Sequence, residues 1–280
     1  MNPAATAHGR RPRLQFGMRT ACYAVACCAA FSLLLRLGLE SLPGNPDRWI
    51  RALSDPNTSL RRAASAELVE LGPRAKNAIP QLRAALNDSD SYVRQNALCS
   101  LFWLEPNRPT LVPLLRRSLT DEGASVRSLA ATYLSIVGSE AKAAIPDLVN
   151  AVGDDDPSVR SAAFSTLAVI DSDRIRLLPL FAAGLDDQSA LVRYESARAL
   201  GSFGSDANPA VAALIQCLQD EREIVREAAA ESLGLIADTG EPVFEALRSA
   251  TKDKDARVRV AAESSLRQLE QTQKSQGSNP

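Results

Sequence analysis

An aspartate stands six positions before an arginine seven times: Asp55 and Arg61, Asp88 and Arg94, Asp121 and Arg127, Asp154 and Arg160, Asp187 and Arg193, Asp220 and Arg226, Asp253 and Arg259. A carboxylate near a guanidinium is a pairing that active sites use to hold charge or to recognise anions. Seven copies of it do not make seven active sites, because a feature present in every repeat serves the repeat. The run Asp154-Asp155-Asp156 invites a divalent cation. Such a site needs several convergent oxygens at spaced positions, and here one aspartate belongs to the series and another sits where a helix cap is expected. The single histidine is His8, which removes most histidine-dependent catalysis and most zinc chemistry from the rest of the chain. Of five cysteines, Cys22, Cys27 and Cys28 lie in an apolar N-terminal stretch, and neither these nor Cys99 and Cys217 form a CxxC pair or a disulfide framework. Glycine-rich phosphate loops are absent. No catalytic, cofactor-binding or metal-binding residue is assigned, and the chain is read as a non-enzyme without a cofactor.

The elements that position these pairs follow from their spacing. Every arginine lies 33 residues after the one before it, without insertion. Counting from each arginine, position −1 is Leu60, Val93, Val126, Val159, Val192, Val225 or Val258, and +7 is always leucine, from Leu68 to Leu266. Position +3 is alanine except at Ser196. Apolar residues at −1, +3, +7 and +10 fall on one stripe of a helix. Those at −12, from Trp49 through Leu148 and Phe181 to Leu247, begin the stripe of a shorter helix before it. Good cap residues at −4, among them Asn57, Asp90, Asp156, Ser189 and Asp255, predict the start of each second helix. Pro157 suits a first helical turn, and Pro80, Pro113, Pro146 and Pro179 recur near the start of the first helices. Glycine closes alternate second helices at +11, as Gly72, Gly138 and Gly204, which suggests a duplicated two-repeat unit.

A 33-residue period with this content resembles the HEAT-repeat family and its bacterial HEAT-like members. The segments AIPQLRAALNDSDSYVRQNALCSL and AIPDLVNAVGDDDPSVRSAAFSTL carry the likeness, while the ankyrin and tetratricopeptide signatures are missing. The resemblance implies an all-α fold, an α-solenoid with a right-handed superhelix of seven helix pairs over residues 46–270. It also implies that each arginine bridges the aspartate and turn groups of neighbouring repeats. Second helices would line a concave face, with positions +1 and +5 exposed on it. Ser128, Thr132, Ser161 and Ser165 then form a hydroxyl-rich strip beside Tyr194 and Arg198, and these six are the candidate partner-binding residues. Enzymatic relatives fit poorly: the repeated His-Glu ligands of deoxyhypusine hydroxylase are missing, and DNA glycosylases of this type need a basic face. A phycobilin-lyase-like accessory subunit handling a protein-bound small molecule is the alternative.

Charge divides the chain unevenly. Residues 1–45 hold five arginines against Glu40, a net +4, which leaves the remainder at −5. A mildly acidic body argues against nucleic acid as a partner. Residues 1–18 read as a basic disordered leader, 19–39 as a signal anchor or signal peptide, 40–45 as a linker and 271–280 as a disordered tail. The apolar run from Ala21 to Leu35 spans 15 residues and is followed by Arg36, short for a spanning helix unless that arginine reaches the interface. Preceding arginines orient it with the solenoid outside the cytoplasm, periplasmic or extracellular. Cleavage with secretion is the alternative, and Met18 is a second possible start. The functional expectation is a membrane-tethered scaffold that binds a protein or peptide on its concave face.

Overall fold

The computed structural model describes residues 45–170, 173–238 and 240–277, and among them every regular element is a helix. The leader and apolar segment assigned to residues 1–39 lie outside the described residues. Two compact units divide after Leu104.

In the first unit, α1 (Pro46–Ala52), α2 (Thr58–Leu71), α3 (Ile79–Ala85) and α4 (Ser91–Leu104) follow in order, and a 3-10 segment (Gly72–Ala78) leads into α3. Local chemistry sets their starts. Asn45 and Asn57 cap α1 and α2 by accepting from Asp47 N and Ser59 N, at 3.0 and 2.9 Å. Asp90 caps α4 through Tyr92 N and Val93 N. Gly72 stops α2 with φ +51°, a conformation that costs glycine least. The apolar stripes of α2, α3 and α4 bury Leu68, Leu82, Val93, Ala97 and Leu101.

The second unit repeats the plan. A 3-10 turn (Arg108–Leu111) leads into α5 (Val112–Ser118), followed by α6 (Ala124–Val137), α7 (Ile145–Ala151), α8 (Pro157–Ile170), α9 (Arg174–Gly184), α10 (Ala190–Ser202), α11 (Val211–Cys217), α12 (Glu223–Ile236), α13 (Glu241–Ala250) and α14 (Ala256–Gly277). Further 3-10 segments, Gly138–Ala144 and Gly204–Ala210, precede α7 and α11. The longer helices α6, α8, α10, α12 and α14 pack side by side, and each shorter helix lies against the longer one that follows it. Alanine at +3 is fully buried in this layer, as Ala130, Ala163 and Ala229, and lets the axes approach. The long helices come close at Gly201 and Gly234, where a Cβ would stand 2.9 Å from Ser232 Cα and 3.0 Å from Ser265 Cα. Hydroxyls use that proximity. Thr166, Ser232 and Ser265 each donate to a carbonyl of the preceding long helix, Ala131, Ala197 and Ala230, all at 2.8 Å.

Four details differ from the sequence expectation. Pro179 lies inside α9, because that helix is continuous from Arg174, whereas 3-10 turns precede α3, α5, α7 and α11. Ser189 stands at the N-cap of α10 but its side chain makes no cap bond. Ala237 adopts the left-handed conformation after α12, with φ +59° and ψ +31°, whereas the glycine caps Gly72 and Gly138 combine positive φ with ψ −128° and −142°. Residues 271–277, read as a disordered tail, continue α14, since Gln271 through Gln276 contain neither glycine nor proline.

The repeated arginines join successive turns. In the first unit Arg61 grips the Asp88 carboxylate through Nε and Nη2 at 2.7 and 3.0 Å, while Nη1 donates to the carbonyl of Asp55, in its own turn, at 3.1 Å. In the second unit Arg127 holds Asp154, Arg160 holds Asp187, Arg193 holds Asp220 and Arg226 holds Asp253 by the same two-pronged contact, 2.7–2.9 Å throughout. Each again donates Nη1 to the carbonyl six residues back. The gripped carboxylate also accepts the backbone N–H two residues on, as Asp154 does from Asp156 N at 2.9 Å. One aspartate thus closes its own turn and anchors the preceding repeat.

Bidentate, charge-assisted and largely shielded from water, these contacts belong to the stronger class of hydrogen bonds. Arg259 makes the carbonyl bonds to Asp253 and Lys254 but has no carboxylate partner among the described residues. Arg160→Ala is expected to cost about 1–3 kcal/mol, since it leaves the Asp187 carboxylate unpaired. Arg259→Ala is expected to cost distinctly less. Chemical denaturation of the two variants measures the difference, and equal losses would contradict a ladder that works through its carboxylates.

Candidate binding surface

The side-by-side layer of long helices determines what each face can offer. Positions −1, +3 and +7 point into the core, and at α8, α10 and α12 neighbouring long helices cover both flanks. Only a narrow sector of those three helices meets solvent.

The six candidate binding residues fall unevenly within that sector. Ser128 and Thr132 on α6 are half-exposed, but their hydroxyls are engaged: Ser128 donates to Ser158 O at 3.2 Å and Thr132 to Ser128 O at 3.0 Å. Ser161 on α8 is buried at 6% exposure, so it is no contact residue, while Ser165 one turn later is half-exposed. Burial of Ser161 follows from its place on α8, which has α6 on one side and α10 on the other. Tyr194 on α10 is half-buried, and that burial pushes its hydroxyl pKa above the ordinary value. Arg198 is exposed and donates to Glu195 at 3.1 Å.

Further along the same flank the structure adds residues that the sequence reading placed in the register without selecting. Glu227 and Glu231 rise from α12 one turn apart, and α14 presents Val260 and Ser264. Together with Leu235, Arg257 and Gln268 they line an open groove of about 520 Å³ between α12 and α14. Burial, and then the neighbouring Glu227 charge, raise the Glu231 carboxyl above its ordinary pKa, and Arg198 acts against that shift. Val260 is 63% exposed and Leu235 53%, so open apolar surface lies on both sides of the groove, with the two glutamates on the α12 side in line with Leu235. An exposed valine at +1 is visible in the sequence as a departure from the polar residues most repeats carry there.

In the first unit position +1 is Arg62, which grips Asp90 at 2.6 Å. The ladder residues Asp55, Asp88 and Arg94, and in the second unit Asp121, sit in the turns. Arg94 donates to Asp88 O at 2.8 Å, and Asp55 and Asp121 close their own turns through Asn57 N and Gly123 N, both at 2.8 Å. Asp154 and Asp156 are occupied by Arg127 and by the start of α8, which leaves Asp155 exposed at the surface. No group of three or more histidine, cysteine or acidic residues suited to a metal ion occurs among the described residues. Cys217 is buried, and burial raises its thiol pKa to about 11, far from a reactive thiolate.

Known proteins place this architecture. The Escherichia coli protein YibA has a similar structure, with a TM-score of 0.62 and 21% identity over 93% of this chain and 99% of its own. An engineered protein aligns with a TM-score of 0.57 and 20% identity, over 81% of this chain and 68% of its own. At these identities the likeness speaks for the fold alone. No protein of curated function matches the sequence. The sequence profile of HEAT repeats matches residues 46–135, 105–168 and 177–267, most of the chain, which therefore belongs to the HEAT-repeat family.

Proposed function

We propose that this protein is a non-catalytic scaffold that binds a protein or peptide partner along the exposed sector of its long helices. One observation carries the reading: in the second unit, residues with recognition chemistry follow one another along that sector, from Ser165 on α8 through Tyr194 and Arg198 on α10 to Glu227 and Glu231 on α12. Tyrosine and arginine are enriched where interfaces concentrate their binding energy. A series of packed helices presents such groups on a preorganised frame, which lowers the ordering cost of association. Nothing in the sector combines a nucleophile with a base, and the strip needs no chemistry to act as a docking face. Ser165→Arg combined with Arg198→Ala places bulk and removes a donor at half-exposed and exposed positions. Capture of partners from a native lysate is expected to fall at least about tenfold with little change in melting temperature. Undiminished capture would move the site off this sector.

We infer in addition that residues 19–39 tether the scaffold to a membrane, with the repeats outside the cytoplasm. No helix among the described residues is long and apolar enough to cross a bilayer. The apolar run behind four arginines supports the reading. Full-length protein is expected in the membrane fraction and resistant to alkaline extraction, whereas deletion of residues 1–39 releases a folded protein. Recovery of the intact full-length chain in the soluble fraction would refute the tether.

A further inference from the structure

The groove between α12 and α14 has a chemical character that the rest of the sector lacks. Both of its sides carry open aliphatic groups: Leu235 on α12 and Val260 on α14 stay more than half exposed in a protein whose other branched side chains are mostly buried. Its wall is acidic, through Glu227 and Glu231 spaced by one helical turn, about 6 Å. The cations around it are already engaged. Arg257 is shared among Asp255 at 3.4 Å, Glu223 at 3.5 Å and Glu227 at 3.7 Å. Arg198, across on α10, is paired with Glu195. Glu231 has neither an ion pair nor a hydrogen bond among the described residues, and the adjacent Glu227 repels its charge. Two carboxylates beside an open aliphatic surface would gain from a cation that arrives with an apolar group attached.

We propose that this groove seats a basic segment of a partner protein, one that carries an aliphatic side chain with a lysine or arginine about one turn away. The aliphatic group covers Val260 and Leu235, and the cation reaches between Glu227 and Glu231. Anionic ligands such as phosphates, nucleic acid or acidic lipid headgroups face repulsion from the same pair. This assignment rests on the scaffold reading and adds to it the chemistry of the partner.

The test uses the full-length protein immobilised on a surface. Its probe is a fluorescein-labelled hexapeptide of leucine, lysine and glycine, with a twin in which glutamate replaces lysine. Saturable binding of the lysine peptide is expected, weakening as salt rises. Binding of the glutamate peptide is expected to be absent. Glu227→Gln with Glu231→Gln is expected to weaken the lysine peptide about five- to tenfold, in keeping with two partly exposed ion pairs. Val260→Ser, which leaves both carboxylates in place, is expected to weaken it by a similar factor. Melting curves confirm that each variant is folded. Binding that neither variant alters, equal binding of the two peptides, or no binding at all would overturn the assignment. Capture of native partners is measured in parallel. Capture that survives the glutamine variant while peptide binding fails overturns the groove assignment and leaves the scaffold reading standing; loss of both together supports both.

Discussion

A single guanidinium, placed once per repeat, resolves the problem that tandem helical repeats create. Every turn between two helices leaves carbonyls and amides without helical partners, and every repeat must be held in fixed register to the next. Arg127 meets both needs. Two of its nitrogens hold the Asp154 carboxylate of the following repeat, and the third donates to Asp121 O and Glu122 O in its own turn. The carboxylate completes the unit by closing its turn at Asp156 N. Removing one member leaves the others desolvated and unpaired, which is why such a pair specifies register more sharply than apolar packing alone.

Electrostatics gives that arrangement a pH signature. The hydrogen bond from Arg127 holds the Asp154 carboxyl below its ordinary pKa, and Arg226 does the same for Asp253. At Asp88, Asp187 and Asp220 burial works the other way, yet the arginine and the turn amide outweigh it, and these carboxyls also end low. A group whose folded pKa is lowered contributes stability above its unfolded value and loses it as pH falls through the folded value. The ladder is therefore complete at neutral pH and dissolves only in acid. The five gripped aspartates, all held low, keep their charge at neutral pH.

Much of this was legible before any coordinates, and the reason is repetition. The aspartate and arginine series, the caps at Asn57 and Asp90, and the glycine stops at Gly72, Gly138 and Gly204 recur at a fixed offset, so each copy reports on the others. Features that vary between repeats were hidden. The hydroxyl bonds of Thr166, Ser232 and Ser265 occupy register +6, which holds a fourth hydroxyl at Ser100 but Glu67, Tyr133 and Ala199 in the other repeats, too mixed a set to mark the role. Gly201 and Gly234 are contact points between helices that the repeat pattern did not mark. Exposure was the hardest quantity to read. Ser161 and Val260 share register +1, yet the first is buried between two long helices and the second lies open beside a groove. Periodicity identifies the stripe facing the core, but the width of the solvent sector depends on how many neighbours a helix has.

The account rests on the claim that the arginine, more than its surroundings, fixes the charge state of the next repeat's aspartate. NMR titration of the Asp154 carboxyl, in the native protein and in Arg127→Gln, measures this directly. The account predicts a pKa below the ordinary carboxylate value in the native protein and a clear rise in the variant, where burial remains and the strongest donor is gone. An ordinary pKa in the native protein, or a low value unchanged by the substitution, would contradict it.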